Sequence, residues 1–339
     1  MLSRNPDVSV IVCNHVVGDL FYRTIASLKH QKNVRFEIIV MTSSEDLAQV
    51  GVDGCKIIHS TKTPAEKRNF AASISKGDYL AFFDDDVDLD DKCLAELLKT
   101  LLMEPKIGMV YGKLWNMERQ DRFDEAGGYL TSTGFIWSRA GQNDVDNGQY
   151  DELVPILAGK SASCIIKSRL FEQVGGFDND FGILGEETDL SWRVWLAGYA
   201  VYFDHLATGY HAFNTKFKPV DKHYTSSRVQ FNGCRNYITM LIKNLEAHNL
   251  WRILPIHVAI WFGAGIVMII TGKVVQGINI FRGLVYVLSH LRGILVKRGL
   301  IQSTRRVSDR DLWPHIYRRT SWSYYRTRIT RYITLGLHG

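Results

Sequence analysis

Short apolar runs alternate with stretches of helical spacing along the first part of the chain. Residues 8–12, 37–41, 56–59, 79–83 and 107–111 read as strands, and 20–30 and 65–75 carry the helical repeat. Asp90 or Asp91 is placed to cap a further helix running to Met103, since acidic side chains suit the positive end of a helix. Strands and helices alternating in this way predict an α/β sheet with covering helices. The stretch 127–148, rich in Gly, Ser, Thr, Asn and Asp, reads as a surface excursion with some strand content. From Gly159 to Asp204 the order is strand, helix, acidic turn, helix and strand, and around 213–220 this pattern ends.

Beyond a helical stretch near 235–249 the character changes. Residues 254–270 form an almost uncharged run broken only by His257, long enough to approach a membrane span. A single span would set the basic C-terminal part opposite the first part of the chain, against the positive-inside tendency, so a re-entrant or in-plane arrangement is expected. Next, Val274, Ile278, Phe281, Val285, Leu288 and Leu291 recur at helical spacing while Gln276, Asn279 and Arg282 fall elsewhere. That is an amphipathic helix suited to the headgroup layer, although the core of a small soluble helical subdomain would show the same pattern. The expected organisation is a catalytic domain over 1–222 and a helical, membrane-associated region with a basic tail over 223–339.

Composition narrows this picture. The 339 residues, 46% hydrophobic, suffice for one catalytic domain plus an appendage. Cys13, Cys55, Cys93, Cys164 and Cys234 are odd in number and never form a Cys-x-x-Cys pair, which argues against a disulfide framework or a zinc cage and for reduced thiols in the cytoplasm. The opening Met1-Leu2-Ser3-Arg4-Asn5-Pro6-Asp7 runs straight into a strand, so no export signal is expected. The net charge of +6 is unevenly placed: beyond Leu291 come Arg292, Lys297, Arg298, Arg305, Arg306, Arg310, Arg318, Arg319, Arg326, Arg328 and Arg331, against only Asp309 and Asp311. Such a tail seeks phosphate. Trp322, Tyr324, Tyr325 and Tyr332, interleaved with these arginines, suit an anionic membrane interface, and nucleic acid is the weaker reading.

The densest chemical signal is Phe82-Phe83-Asp84-Asp85-Asp86-Val87-Asp88, three consecutive carboxylates directly after an apolar strand. Ligands of open α/β sheets sit outside the carboxyl ends of the strands. Packed anions repel unless a cation offsets them, and Asp84 and Asp86, two apart, offer hard oxygen ligands for Mg²⁺ or Mn²⁺ that would in turn neutralise a diphosphate. An EF-hand is excluded by position: counted from Asp86, the glycine place holds Asp91 and the bidentate glutamate place holds Leu97.

With these landmarks the sequence resembles the family 2 glycosyltransferases, inverting enzymes of the GT-A fold, from about Val8 to about Asn214. Val8-Ser9-Val10-Ile11-Val12-Cys13-Asn14-His15 is similar to the family's first strand and the loop beneath the nucleotide. Lys67-Arg68-Asn69 with Lys76-Gly77-Asp78 resembles the segment before the metal motif, and Asp84-Asp85-Asp86 resembles the Asp-x-Asp motif itself. Gly175-Gly176-Phe177-Asp178 and the run from Gly185 to Arg193 resemble the acceptor-side segments.

The resemblance implies a GT-A catalytic domain, a Rossmann-like mixed sheet with helices on both faces, plus a C-terminal helical region that associates with a membrane. It implies transfer of a sugar, hexosyl or deoxyhexosyl, from a nucleotide-sugar donor to a lipid-linked or oligosaccharide acceptor with inversion, at the cytoplasmic face of the cell membrane. Glu187 matches the family's catalytic base, with Glu186 in reserve; Asp84, Asp86 and His211 match the metal site for Mg²⁺ or Mn²⁺. Cys13, Asn14, Thr42, Arg68 and Asp85 fall on the donor side. Lys67 reads as a solvated surface lysine. Asp189, Trp192 and Arg235 are candidates for the acceptor or its diphosphate, against an Asp189–Arg193 pair four apart on a helix and a packing role for Trp192. Two departures stand out: Thr42 replaces the family's usual aspartate after the second strand, and Glu187 lengthens the usual Asp. They keep open an alternative, a catalytically silent nucleotide-sugar-binding or scaffold protein of the same fold. Self-association is left open.

Overall fold

The computed structural model describes residues 6–14, 17–141, 144–212, 229–320 and 326. Several expectations lie outside these residues: those on the opening five residues, His15, 213–220 with Asn214, the boundary at 222/223, and Trp322, Tyr324, Tyr325, Arg328, Arg331 and Tyr332 of the tail.

The strands are β1 (Val8–Asn14), β2 (Phe36–Thr42), β3 (Cys55–His59), β4 (Tyr79–Asp84), β5 (Val87–Leu89), β6 (Ile107–Asn116), β7 (Phe123–Glu125), β8 (Gly128–Leu130), β9 (Ile136–Ser138), β10 (Val154–Pro155), β11 (Ser163–Lys167) and β12 (Ala200–His211). The main sheet runs β10-β12-β6-β11-β4-β1-β2-β3. β3, β2, β1 and β4 are mutually parallel, β11 is antiparallel to both β4 and β6, and β12 returns parallel to β6. The sheet is buried on both faces, so its strands read as near-continuous apolar runs. Ile11 and Phe82 join the core on one side, and Val10, Val12 and Phe83 the core on the other.

The helices are α1 (Asp19–Lys29), α2 (Glu45–Val50), α3 (Pro64–Ser73), α4 (Cys93–Met103), α5 (Ser168–Gln173), α6 (Glu186–Leu196), α7 (Val229–Asn244), α8 (Ala247–Ile270), α9 (Val274–Ser289), α10 (Leu291–Thr304) and α11 (Asp309–Ile316). α1 and α4 cover one face through Phe21, Ile25, Leu28, Leu94 and Leu97, and α3, α5 and α6 cover the other. Thr63-Pro64-Ala65-Glu66 starts α3 with a full capping box and proline in the first turn. This fixes the helix so that Lys67 and Arg68 point inward and are buried.

Three expectations change. Neither Asp90 nor Asp91 caps α4: its N-cap is Lys92, while Asp90 accepts from the Thr208 hydroxyl and Asp91 pairs with Lys32. The stretch 127–148 is only partly a surface excursion. Gly127, Gly134 and Gly148 take positive φ and turn the chain back, so that Tyr129, Leu130 and Ala140 join the core. β6 also continues past Tyr111 through Lys113, whose buried ammonium is paired with Asp146 and Asp151.

α7 is a strut between the sheet domain and the last helices. Its Met240 and Leu241 share the core of the sheet domain, as do Leu312 and Ile316 of α11, whereas Cys234 and Ile238 face a third core with Trp261, Met268, Ile280 and Val287. Lys243, 1% exposed, donates to Asp178 at 2.5 Å and to Asp189, and Asn244 donates to Asp189 at 2.9 Å. Burial penalises the Asp178 carboxylate, yet Lys243 and Lys297 together hold its pKa well below the usual range. Removing one partner of such a group strands the others. Lys243→Ala is expected to lower stability by about 3–5 kcal/mol in urea unfolding, whereas the exposed Lys99→Ala should leave the midpoint nearly unchanged.

Candidate active site

Register alone brings the first site residues together. Asn14 lies opposite Thr42, and Cys13 opposite Asp84, all at the carboxyl edge of the parallel strands. β5 then pairs with the end of β12 so that His211 faces Val87, and the Ala212 amide donates to the Asp86 carbonyl at 3.0 Å. His211 Nε2 consequently stands 3.2 Å from Asp86 Oδ1 and 4.0 Å from Asp84 Oδ2. Asp84, Asp86 and His211 each offer a ligand atom, and these lie within 4.8 Å of one another.

Behind them is a residue that sequence reasoning missed. Asp124 Oδ2 lies 2.8 Å from His211 Nδ1, and Lys160 donates to both Asp124 oxygens at 2.8 Å. Orienting Nδ1 toward Asp124 aims Nε2 at the aspartates, the arrangement in which a histidine serves a metal. Burial disfavours the imidazolium, but Asp86 and Asp124 outweigh it and push the His211 pKa up to about 10. Asp124 stays low despite burial because Lys160 and His211 face it. Two hard carboxylates and an imidazole suit Mn²⁺ or Mg²⁺. No motif in the Phe123-Asp124-Glu125 segment marks this aspartate; only β7 pairing with β6 brings it here.

On the other side stands the start of α6. Leu184 and Gly185 precede it with φ of 73° and 84°, a conformation costly for leucine. Asn236 of α7 holds this turn, its Nδ2 lying 3.0, 2.9 and 2.7 Å from the carbonyls of Phe181, Ile183 and Leu184. Glu186 is buried and accepts from Arg68 Nη1 at 3.1 Å, while Arg68 Nη2 donates to Asp84 at 2.9 Å. Arg68 therefore ties the metal-side carboxylates to the start of α6. Glu187 is half-buried, and burial together with the neighbouring Glu186 charge pushes its pKa well up. A carboxylate with raised pKa is a stronger proton acceptor than an ordinary one.

The remaining donor-side and acceptor-side candidates differ in burial and partners, and the reading of Lys67 is corrected. Thr42 is fully buried and donates to Asn14 Oδ1 at 3.1 Å, and Asn14 in turn donates to Asp85 Oδ2 at 2.8 Å, so Thr42 orients Asn14 instead of meeting a ligand. Cys13 is half-buried, its thiol pushed up to about 11 mainly by burial. Lys67 is not a solvated surface lysine: it is buried and donates to Ser43 Oγ at 2.6 Å. Arg68 faces Asp84 and Glu186 where a donor phosphate contact was expected. Asp189 is fully buried by Arg193, Lys243 and Asn244, and the expected Asp189–Arg193 pair is present at 2.9 Å. Trp192 is wholly enclosed, leaving no face for an acceptor. Arg235 lies against the rings of Phe231 and Tyr286 and donates to the carbonyls of Asp180 and Phe181, bracing that turn.

A cleft of about 940 Å³ lies elsewhere, at the far end of α6 between Asp178 and residues 300–306 at the end of α10 and just beyond it. Its lysines and Arg305 are already paired with Asp178, Asp180, Asp189 and Asp309, and it holds none of the residues at the carboxyl edge.

Comparisons with known proteins bear on family and fold. The family model described as Glycosyl transferase family 2 matches residues 9–159. The O-antigen biosynthesis protein RfbC of Myxococcus xanthus is 26% identical over 205 residues, covering 56% of this chain and 16% of that protein, so the chain spans only a small part of this relative's length. Among solved structures, GalNAc-T7 with UDP, GalNAc and Mn²⁺ superposes with a TM-score of 0.54 at 16% identity, covering 71% of this chain and 48% of that one. The mannosyltransferase PcManGT from Pyrobaculum calidifontis, with GDP-Man and Mn²⁺, gives a TM-score of 0.49 at 15% identity, over 89% and 86% of the two chains.

Proposed function

This chain carries a family 2 glycosyltransferase domain of the GT-A fold, and from that premise we propose that it transfers a sugar from a nucleotide-sugar donor to a glycan acceptor with inversion. The observation that carries the reading is the grouping of Asp84, Asp86 and His211 at the strand ends, joined through Arg68 to Glu186, the neighbour of Glu187 at the start of α6. The acceptor is a polyprenyl-linked glycan of the kind used in cell-surface polysaccharide assembly, a class supported by the name of the Myxococcus relative. We take the site to face the cytoplasmic side of a membrane; the apolar helix α8 supports the membrane association.

Inverting transfer needs an acceptor hydroxyl to attack the anomeric carbon while the nucleoside diphosphate leaves from the opposite face. Glu187 takes the hydroxyl proton, and its raised pKa favours that acceptance. Glu186 is held by Arg68 and keeps its position as the neighbouring charge. Asn14 fixes Asp85 beside the first strand, where the resemblance places the nucleotide. Mn²⁺ or Mg²⁺, held by Asp84, Asp86 and His211, would offset the charge that builds on the departing diphosphate, and the Mn²⁺ in GalNAc-T7 supports this cofactor.

The test is a turnover assay of purified protein with Mn²⁺ and a panel of nucleotide sugars bearing rhamnose, galactose, glucose or N-acetylhexosamines. Release of nucleoside diphosphate from one donor in the presence of membrane lipid extract, abolished by chelation, is the expected outcome. Tight nucleotide binding without turnover of any donor would instead identify the silent, binding-only protein.

A further inference from the structure

We propose that α8, α9 and α10 form a platform that lies face-down in one leaflet of an anionic bilayer without crossing it. This gives the membrane placement proposed above a definite surface and orientation, and it does not depend on which sugar is transferred.

The three helices form a layer over α7 and pack on it through the core of Ile238, Trp261, Met268, Ile280 and Val287. Their remaining faces are apolar as well. Trp251, Phe262, Ile270, Val275, Leu288 and Val296 are each between 51 and 80% exposed. The stripe of Val274, Ile278, Val285 and Leu288 read from the sequence is this outward face; the inward face of α9 carries Gly277, Ile280, Gly283 and Val287. A soluble helical layer turns polar side chains to water, and large apolar side chains exposed along three adjacent helices mark an interaction site. The soluble-subdomain alternative therefore accounts for only one side of these helices.

Charge identifies the occupant. No Asp or Glu occurs over residues 247–308. Arg252, Arg282, Arg292 and Arg306 of that stretch are exposed. Apolar side chains with basic residues and no acidic ones complement an anionic lipid surface and would repel another basic surface, a second copy of this chain included.

α8, at 24 residues, is long and apolar enough to cross, but the length of α9 and the direction of the chain favour lying flat. α9 runs back beside α8, so the chain re-emerges on the side it left, which removes the topological conflict of a single span. With 16 residues α9 is about 24 Å long, short of the roughly 20 residues a span requires. α9 and α10 meet at a bend of 66° and do not make one straight return span. Lys273 stands at the α8–α9 turn, where a hairpin dipping tip-first would carry it into hydrocarbon. The exposed apolar residues flank that turn and also run along all three helices, from Trp251 of α8 to Leu288 of α9 and Leu300 of α10, which a tip-first hairpin would leave in water. Lys297 of α10 is paired with Asp178 and Asp180 of the sheet domain, which keeps the platform against the catalytic body. Gly265 and Gly277 let α8 and α9 touch closely: a Cβ on Gly277 would meet the Gly265 carbonyl oxygen at 2.7 Å. Close packing of this kind holds helices together where lipid supplies no hydrophobic drive.

The experiment is flotation of the full chain with vesicles of phosphatidylcholine alone or with phosphatidylglycerol, a readout that needs neither donor nor acceptor. Binding to the anionic vesicles is expected, with on the order of tenfold loss in the Ile270→Asp/Leu288→Asp variant, whose two changes are both exposed and leave the far-ultraviolet dichroism unchanged. Nitroxides on cysteines placed singly at Ile270, Leu288 and Val296 should report the same shallow depth in bound protein. A deep Ile270 label beside two shallow ones would overturn the flat orientation, and absence of flotation would overturn the platform. Wild-type dimers in lipid-free buffer that the double variant abolishes, without any lipid binding, would assign the face to a second copy of this chain. None of these failures bears on nucleoside diphosphate release, which is measured separately.

Discussion

Replacing Glu187 by Gln is expected to lower transfer by about 10²- to 10⁴-fold, the range a positioned general base supplies, while the protein stays folded. Gln conserves the volume and removes only proton acceptance. The fold should tolerate the change or gain from it. Because burial and Glu186 raise the Glu187 pKa, the folded protein binds that proton more tightly than the unfolded chain does. Stability from this group is therefore present at low pH and is lost as pH rises through the raised folded value, a penalty that Gln removes. Activity runs the other way, since the base must be ionised: the acid limb of kcat/KM should lie above the ordinary glutamate value of about 4.3. Glu186→Gln, by deleting the like charge, should move that limb to lower pH. Full activity in Glu187→Gln at saturating donor, with melting unchanged, would remove the base from this position.

The sheet strands and the acidic turn were legible because their signals are local. An apolar run ending in three carboxylates marks the carboxyl end of β4 whatever follows it, and the pairing of Asp189 with Arg193 follows from helical spacing alone. What could not be read were side chains whose surroundings come from distant segments. Thr42 looks like a strand-end residue free to meet a ligand until β1 places Asn14 beside it. Lys67 and Lys243 look solvated, as most lysines are, yet each is buried by a hydroxyl or carboxylates from elsewhere in the chain. In the last helices, the apolar periodicity of α9 gave the stripe that faces outward but not the side that packs. Glycines on the opposite side make the packed face, because close backbone approach there needs the absence of side chains.

Asp86→Asn and Asp124→Asn should separate holding a cation from orienting its histidine. Asp86 is 2% exposed and stands 3.2 Å from His211 Nε2, so Asn there takes away a charged ligand at the centre of the group. Mn²⁺ binding by calorimetry should fall below detection, and transfer by about 10²- to 10³-fold, since the departing diphosphate loses the charge opposite it. Asp124 touches no ligand position. It acts through His211 Nδ1, and its loss should weaken Mn²⁺ binding by about 10- to 100-fold while excess metal restores much of the rate. That rescue is the discriminating result, because a change that merely loosened the fold would not respond to Mn²⁺. Asp84 offers a third comparison: one of its oxygens is taken by Arg68, so Arg68→Met should free that oxygen while stranding Glu186 without its cation. If Asp86→Asn and Asp124→Asn both bound Mn²⁺ as the wild type does, the cation would have to sit elsewhere, and the carboxylates at the tip of β4 would have Arg68, Asn14 and His211 as their partners in its place.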